Sequence, residues 1–329
     1  MRLSQGCAVD ACIMGRIGYD LHAVERHRPL AQVEHFSRHV GGSSANIAVG
    51  LARLGLRVGI ISSVGKDELA EYLIAFLQNE GIDTRFVREV QGYNTSLCLT
   101  QVSPPNDFHQ VFYRQNPADS RIEIADQERE YIRQSKLFLV NGTGLSASPA
   151  REATMEGLKI AREAGVCTIL DVDYRASSWK SSLDAGHAVA GVLPMIEVLL
   201  ANDEELALVG GPGPLDAQAA HVLGRGVNIV VCKLSARGVK AYTTTQQYFA
   251  EPISVEVVST IGAGDGFAAG FLSALHRGIP LPDALWYGNA AAAVVVSRVS
   301  CSDAMPFSGE VEEHLRMART HGSGGRVRS

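Results

Sequence analysis

The chain has 329 residues, 46% of them hydrophobic and 20% charged, with a formal net charge of −5. That is apolar mass for one large domain or two ordinary ones, and neither the charge nor any basic run offers a footprint for nucleic acid. The longest apolar stretch, Ala290 to Val296, falls far short of the roughly 20 residues a membrane-spanning helix requires. The opening Met1-Arg2-Leu3-Ser4-Gln5-Gly6 has no long apolar region followed by a cleavage site, so cytoplasm is the expected location.

In chain order, a first strand runs into Met14-Gly15-Arg16-Ile17-Gly18, and residues 16–39 then keep no regular period. Val40-Gly41-Gly42-Ser43-Ser44-Ala45-Asn46 is a glycine turn that opens into residues 47–54, apolar at helical spacing, with Gly55 as the stop. From Arg57 onward strand and helix patterns alternate, as in a parallel sheet covered on both faces, and the fold class is α/β. Strands are expected at 58–64, 137–140, 166–170, 198–201 and 228–232, and helices at 68–79, 149–163, 216–223, 265–276 and 282–298. Residues 93–114 interrupt this order, with Ser96–Thr100 and Gln110–Tyr113 reading as antiparallel strands around Pro104-Pro105-Asn106-Asp107. Together with 16–39 they are expected to form a small β lid; extra edge strands of the main sheet are the alternative. Residues 253–258 alternate like a half-buried strand. No repeat or linker divides the chain, so one domain is expected over 1–316, with 317–329 as a disordered tail. Cysteines 7, 12, 98, 167, 232 and 301 form no Cys-x-x-Cys pair and lie mostly in apolar runs, so buried thiols are expected.

The most informative stretch is Gly262-Ala263-Gly264-Asp265-Gly266-Phe267. Glycines let backbone approach an anion, and the free amides and positive dipole end of the following helix can hold a phosphoryl group there. A carboxylate in that place would repel phosphate, so Asp265 makes sense as the base that takes a proton from an attacking hydroxyl. A tight turn with Asp265 as an N-cap would give the same string. The earlier turn carries Ser43 and Asn46, neutral hydrogen-bonding groups that suit sugar hydroxyls.

The two glycine turns, in this order and this far apart, resemble the two signatures of the ribokinase-like, or PfkB, carbohydrate kinases. The resemblance implies a three-layer sandwich with a mainly parallel central sheet and a β lid, in which sugar sits at the first turn and nucleotide at the second. Finer likeness to the bacterial 5-dehydro-2-deoxygluconokinases within that family is carried by 14–21, 104–108, Phe112-Tyr113-Arg114, 141–146, Leu170-Asp171-Val172-Asp173-Tyr174-Arg175 and 301–306, spanning about residues 7 to 316. It implies transfer from ATP, with Mg²⁺, to the terminal hydroxyl of 5-dehydro-2-deoxy-D-gluconate. The 2-keto-3-deoxygluconate kinases share the paired arginines, and a neutral-sugar kinase of fructokinase type is a further alternative.

Two arginine forks, Arg114 and Arg175, match a sugar acid better than a neutral sugar, although Arg175 could instead pair with Asp171 or Asp173 and Arg114 could be a solvated lid residue. The resemblance places Asp20, Gly41, Gly42 and Asn46 on sugar hydroxyls. It gives Asn202 and Glu205 a part in ordering hydrated Mg²⁺, and it puts Lys233, Gly238 and Asn289 on the nucleotide side; Gly262, Ala263 and Gly264 form the anion-binding turn with Asp265. Asn202-Asp203-Glu204-Glu205 also reads as an ordinary helix cap. Departures from the family pattern at Ser259, Ser235 and Ser300 bear on nucleotide preference and on K⁺, which activates many members. Pairing of lid strands between subunits is a route to a homo-oligomer. Two other classes fit less well. A dinucleotide-binding dehydrogenase needs Gly-x-Gly-x-x-Gly after the first strand, which is missing here, and a non-catalytic sugar-acid sensor would have no need of Asp265.

Overall fold

The computed structural model describes residues 9–104, 107–299 and 301–320. The strands are β1 (Ala11–Met14), β2 (Gly18–Ala23), β3 (Phe36–Gly41), β4 (Val58–Gly65), β5 (Asp83–Val90), β6 (Ser96–Thr100), β7 (Gln110–Tyr113), β8 (Leu137–Asn141), β9 (Cys167–Asp171), β10 (Val198–Asn202), β11 (Ile229–Lys233), β12 (Val239–Tyr242) and β13 (Gln247–Ala250). The helices are α1 (Ser43–Arg53), α2 (Glu68–Asn79), α3 (Asp126–Arg133), α4 (Ala150–Glu163), α5 (Ser182–Val192), α6 (Asp203–Gly210), α7 (Leu215–Gly224), α8 (Ala263–His276), α9 (Leu281–Val296) and α10 (Ser308–Thr320).

The main sheet runs β13-β12-β11-β10-β9-β8-β1-β4-β5, parallel from β11 to β5 with an antiparallel hairpin at the other edge. Side chains of a strand alternate between sheet faces, and the apolar strands here feed two cores accordingly. Ala11, Ile13, Leu137, Leu139, Val198 and Leu200 join one core with α1, α8 and α9. Cys12, Met14, Phe138, Val140, Leu199 and Ala201 join the other, against α4, α5 and α6. Fully buried side chains such as Phe138 and Phe271 each contribute about 1.5–3 kcal/mol of transfer free energy.

Small residues let α8 approach both of its neighbours. A Cβ on Gly50 would stand 2.5 Å from Ala269, one on Gly266 2.6 Å from Val295, and one on Gly270 2.6 Å from Ala291. Larger side chains there would push the helices apart and carry the N-terminus of α8 with them.

Residues 16–39 and 93–114 contribute β2, β3, β6 and β7 to a separate four-stranded sheet, ordered β3-β2-β6-β7, and none of these strands extends the main sheet. Strands β4, β8, β9, β10 and β11 and helices α2, α4, α7, α8 and α9 lie within two residues of the expected bounds, and α1 starts four residues early, at Ser43. Strands β5, β12 and β13 and helices α3, α5 and α10 have no counterpart in the expectations, and α6 follows the cap read at Asn202. The run 253–258 is not a strand. Its alternation meets no partner edge, because Asn289 of α9 holds the Ala250 and Glu251 carbonyls, and the Val258 and Ser259 amides donate to Val296 O. The expected tail begins too early, since α10 continues to Thr320; residues 321–329, with Cys7, Pro105, Asn106 and Ser300, lie outside the described residues. Cys12, Cys98, Cys232 and Cys301 are buried free thiols, and Cys167 is partly buried.

Candidate active site

Parallel strands end on one rim, and that rim collects the polar residues. Asn141, Asp171, Asn202 and Lys233 are the last residues of β8, β9, β10 and β11. Ligands of open parallel sheets bind outside these carboxyl ends, where loops and helix N-termini converge.

Two helix N-termini meet above the rim. Gly42 (φ 91°) caps α1 and Gly262 (φ 78°) caps α8, each in a conformation that glycine adopts without strain. The Asp265 carboxylate accepts from Ser43 Oγ at 2.6 Å through Oδ1 and from Asn46 Nδ2 at 2.7 Å through Oδ2. The network continues outward: Asn141 Nδ2 donates to Ser43 Oγ at 2.8 Å, Ser44 Oγ to Asn141 Oδ1 at 2.5 Å, and Ser302 Oγ to Asn46 Oδ1 at 2.7 Å. Asp265 is therefore held in place from three separate parts of the chain. Burial and the neighbouring Asp173 push its carboxyl above the ordinary range, while Ser43, Asn46 and Lys233 pull it back. Asp265 is not an N-cap, because that position belongs to Gly262. Among the expected anion-binding amides, Ala263 N already donates to Thr260 O at 3.3 Å, whereas Gly264 and Asp265 have no backbone acceptor among the described residues.

Lys233 Nζ lies 3.1 Å from both oxygens of Asp171 and 3.4 Å from the point where a Cβ on Gly264 would stand. Burial and the nearby Glu205, Asp265 and Asp173 push Asp171 up, and Lys233 opposes them. The lysine is itself held protonated, because Asp171 and Glu205 outweigh its own burial. Two equal contacts from one ammonium are those of an ion pair. Around Asp265, four carboxylates (Asp171, Asp173, Glu205 and Asp265) thus face two cations, Lys233 and Arg175.

On the second sheet, Asp20 is buried with Oδ1 unpartnered and Oδ2 3.6 Å from Cys301 Sγ. Gly41 makes room for it, since a Cβ there would stand 2.0 Å from Asp20 Oδ2. Burial raises the Asp20 carboxyl and lowers the adjacent His22 to about 4, so this histidine is neutral at physiological pH.

Residues 5–307 match the pfkB family of carbohydrate kinases. A protein named 5-dehydro-2-deoxygluconokinase from Geobacillus thermodenitrificans (strain NG80-2) is 38% identical over 320 residues, covering 94% of this chain and 95% of its own. The chain belongs to the pfkB carbohydrate kinase family. Two solved structures share the fold. Aminoimidazole riboside kinase from Salmonella enterica, complexed with its riboside and an ATP analogue, has a TM-score of 0.81 at 26% identity, over 92% of this chain and 99% of that one. An Escherichia coli protein described as a ribokinase II, solved with ATP and Mg²⁺, has a TM-score of 0.85 at 22% identity, over 94% and 99%.

Within this pfkB kinase, several expected ligand residues also make contacts within the chain. Arg114 donates through Nη2 to Asp119 at 2.6 Å and through Nη1 to Ser96 Oγ at 3.1 Å, so an acid five residues away takes its fork. Arg175 gives Nε to Asp173 Oδ1 at 3.0 Å. Asn202 and Glu205 form a capping box on α6, with a third bond from Tyr174 N to Glu205 Oε1 at 2.9 Å. The Asn289 amide donates to the Ala250 and Glu251 carbonyls. Gly238 (φ 92°) turns tightly, with its Cβ position 2.4 Å from Ala250 O. Asn141, Ser302 and Arg16 belong to the site without having been singled out. Asn141 could have been found from its place at a carboxyl strand end, and Arg16 from its place just after β1.

Proposed function

We propose that this kinase transfers the γ-phosphoryl group of ATP to the terminal hydroxyl of 5-dehydro-2-deoxy-D-gluconate. The observation that carries the reading is Asp265, a half-buried carboxylate clamped between Ser43 and Asn46 at the point where two glycine-capped helices converge. There it accepts the proton of the attacking hydroxyl, and the Gly264 and Asp265 amides receive the charge that develops on the transferring group. Lys233, beside the same turn, adds a fixed positive charge. The nucleotide comes with Mg²⁺, which would be held through its own waters near Asn202 and Glu205; Asp171, Asp173 and Glu205 do not bring their oxygens together as a ligand cluster, but the excess of carboxylates over cations around Asp265 is a charge that a divalent ion would balance. When bound, Mg²⁺ supplies charge neutralisation on the phosphates. Asp20 and Gly41 hold the sugar from the second sheet and Gly42 from the cap of α1, and that sheet serves as a lid that excludes water from the transfer.

The test is coupled ADP release with Mg²⁺ and ATP, with and without K⁺, on 5-dehydro-2-deoxygluconate, 2-keto-3-deoxygluconate, fructose and ribose. Preference for the first by 10-fold or more in kcat/KM is the expected result, on the order of one well-placed interaction. Preference for the second keeps the mechanism and changes the substrate. Preference for a neutral sugar removes the acid, and no turnover on any of them leaves a binding protein.

A further inference from the structure

Arg16, in the loop between β1 and β2, is 8% exposed, yet its guanidinium makes no hydrogen bond or ion pair with any described residue. It lies against the Phe112 ring, with Cζ 5.7 Å from the ring centroid. Asp20 is the nearby opposite charge, but it makes no hydrogen bond to the guanidinium, and a buried fork whose N–H groups find no acceptor is shaped for an anion that comes from outside.

The gap it faces is defined by a missing side chain. A Cβ on Gly18 would stand 2.8 Å from Arg16 Nη1 and 3.7 Å from Asp20 Oδ1. That carboxylate oxygen is itself buried and unpartnered. One small space is thus lined by a free fork on one side and a free acceptor on the other. A ligand with a carboxylate and a hydroxyl a few bonds apart fills both, and a neutral sugar fills only one. Of the other two arginines, Arg114 is closed by Asp119, while Arg175 sits with Asp173 beside Asp265, at the reacting end.

Resting on the sugar-acid reading above, we propose that Arg16 is the residue that recognises the substrate carboxylate, with Asp20 holding the hydroxyl nearest to it and Gly18 keeping the space open. Arg114 serves the lid instead. The fork pairs with the carboxylate through parallel N–H bonds, a geometry that lysine cannot reproduce.

The experiment compares wild type, Arg16→Met and Arg114→Met on 5-dehydro-2-deoxygluconate and on its methyl ester, by titration calorimetry without nucleotide and by ADP release. Arg16→Met should weaken acid binding and lower kcat/KM about 100-fold, as for loss of a buried charge-assisted pair, and change the ester less than about 3-fold. Equal loss on acid and ester would overturn the proposal, leaving Arg16 as a support for Asp20. Acid-selective loss in Arg114→Met, with none in Arg16→Met, would move the role to Arg114. Wild type that treats acid and ester alike sinks the substrate assignment and this inference together, whereas wild type that prefers the acid while Arg16→Met keeps the preference sinks this inference alone. If Arg16→Met does not fold, Arg16→Lys, which keeps stem and charge, should lose at least 10-fold of the acid preference; full retention would overturn the role of the fork.

Discussion

The two rims of the central sheet carry ionic clusters built to opposite rules. At the amino rim, Asp10, Arg57 and Lys136 immediately precede the neighbouring strands β1, β4 and β8, and one acid is met by Arg57 at 3.1 Å, Lys136 at 2.9 Å and His276 at 3.8 Å. Burial works against the Asp10 charge, but these bonds overcome it and hold the carboxyl well below the ordinary range. At the carboxyl rim four acids share two cations, and burial holds Asp171 and Asp265 above it. The backbones differ in the same sense. Turns feeding the amino rim place glycine at left-handed positions, Gly55 (φ 92°), Gly81 (φ 75°), Gly165 (φ 70°) and Gly226 (φ 104°). Near the carboxyl rim, Asp173 (φ 35°) and Ser235 (φ 53°) adopt positive φ without that freedom. One rim is satisfied and holds the fold, while the other is left over-charged and strained, which marks it as the place where a ligand completes the structure.

The sharpest break comes from Asp265→Asn. Removing the base should lower kcat by about 10³-fold, within the range of general-base contributions, while sugar binding and the fold persist. Because the Asp265 carboxyl is raised, wild-type activity should climb with pH through a midpoint above the roughly pH 4 of an ordinary carboxylate. Stability runs the other way. A raised acid binds its proton more tightly in the folded state, so stability falls as pH rises from the unfolded value through the folded one, and Asp265→Asn should flatten part of that fall. Urea unfolding at several pH values reads this, and an unchanged slope would contradict the charge imbalance.

Asp10→Asn tests the other rim and should do the reverse, costing stability and sparing chemistry. A loss of about 1–2 kcal/mol is expected, reduced because Arg57 is largely exposed and an amide oxygen can still accept from Arg57 N. A depressed acid stabilises above its unfolded value and loses that stabilisation as pH falls below about 4, so the wild-type advantage over Asp10→Asn should vanish in acid. An activity loss larger than the loss of folded protein would join the two rims functionally and undo the contrast.

How much of this could be read in the sequence follows from range. Glycine turns, strand alternation and the polarity of residues next to them are local, so both helix N-termini, the second sheet and Asp265 were legible. Many partners of those residues were not, because they come from far along the chain. Nothing near Asn46 announces that Ser302 will share its amide, and nothing near Ser43 announces Asn141. The 253–258 run failed for a related reason, since alternation describes a surface fit for a sheet edge but not whether an edge is available. Arg16 escaped notice because its meaning lies in an absence, a buried fork whose N–H groups meet no acceptor.

The finest test of the contrast is Ser235. It follows Lys233 by two residues, and its backbone is left-handed, with φ 53°. Ser235→Gly should therefore relieve strain and raise stability by about 1 kcal/mol, the cost of left-handed geometry for a residue with a Cβ. The entropy glycine adds to the unfolded chain takes back part of that, so a net gain of about 0.5 kcal/mol is the expected reading in urea unfolding. The same replacement loosens the turn that carries Lys233 toward the Gly264 amides, so KM for ATP should rise modestly while KM for the sugar acid holds. Stability gained with both constants unchanged would mean that the strain is incidental, and that the carboxyl rim differs from the amino rim by its charges alone.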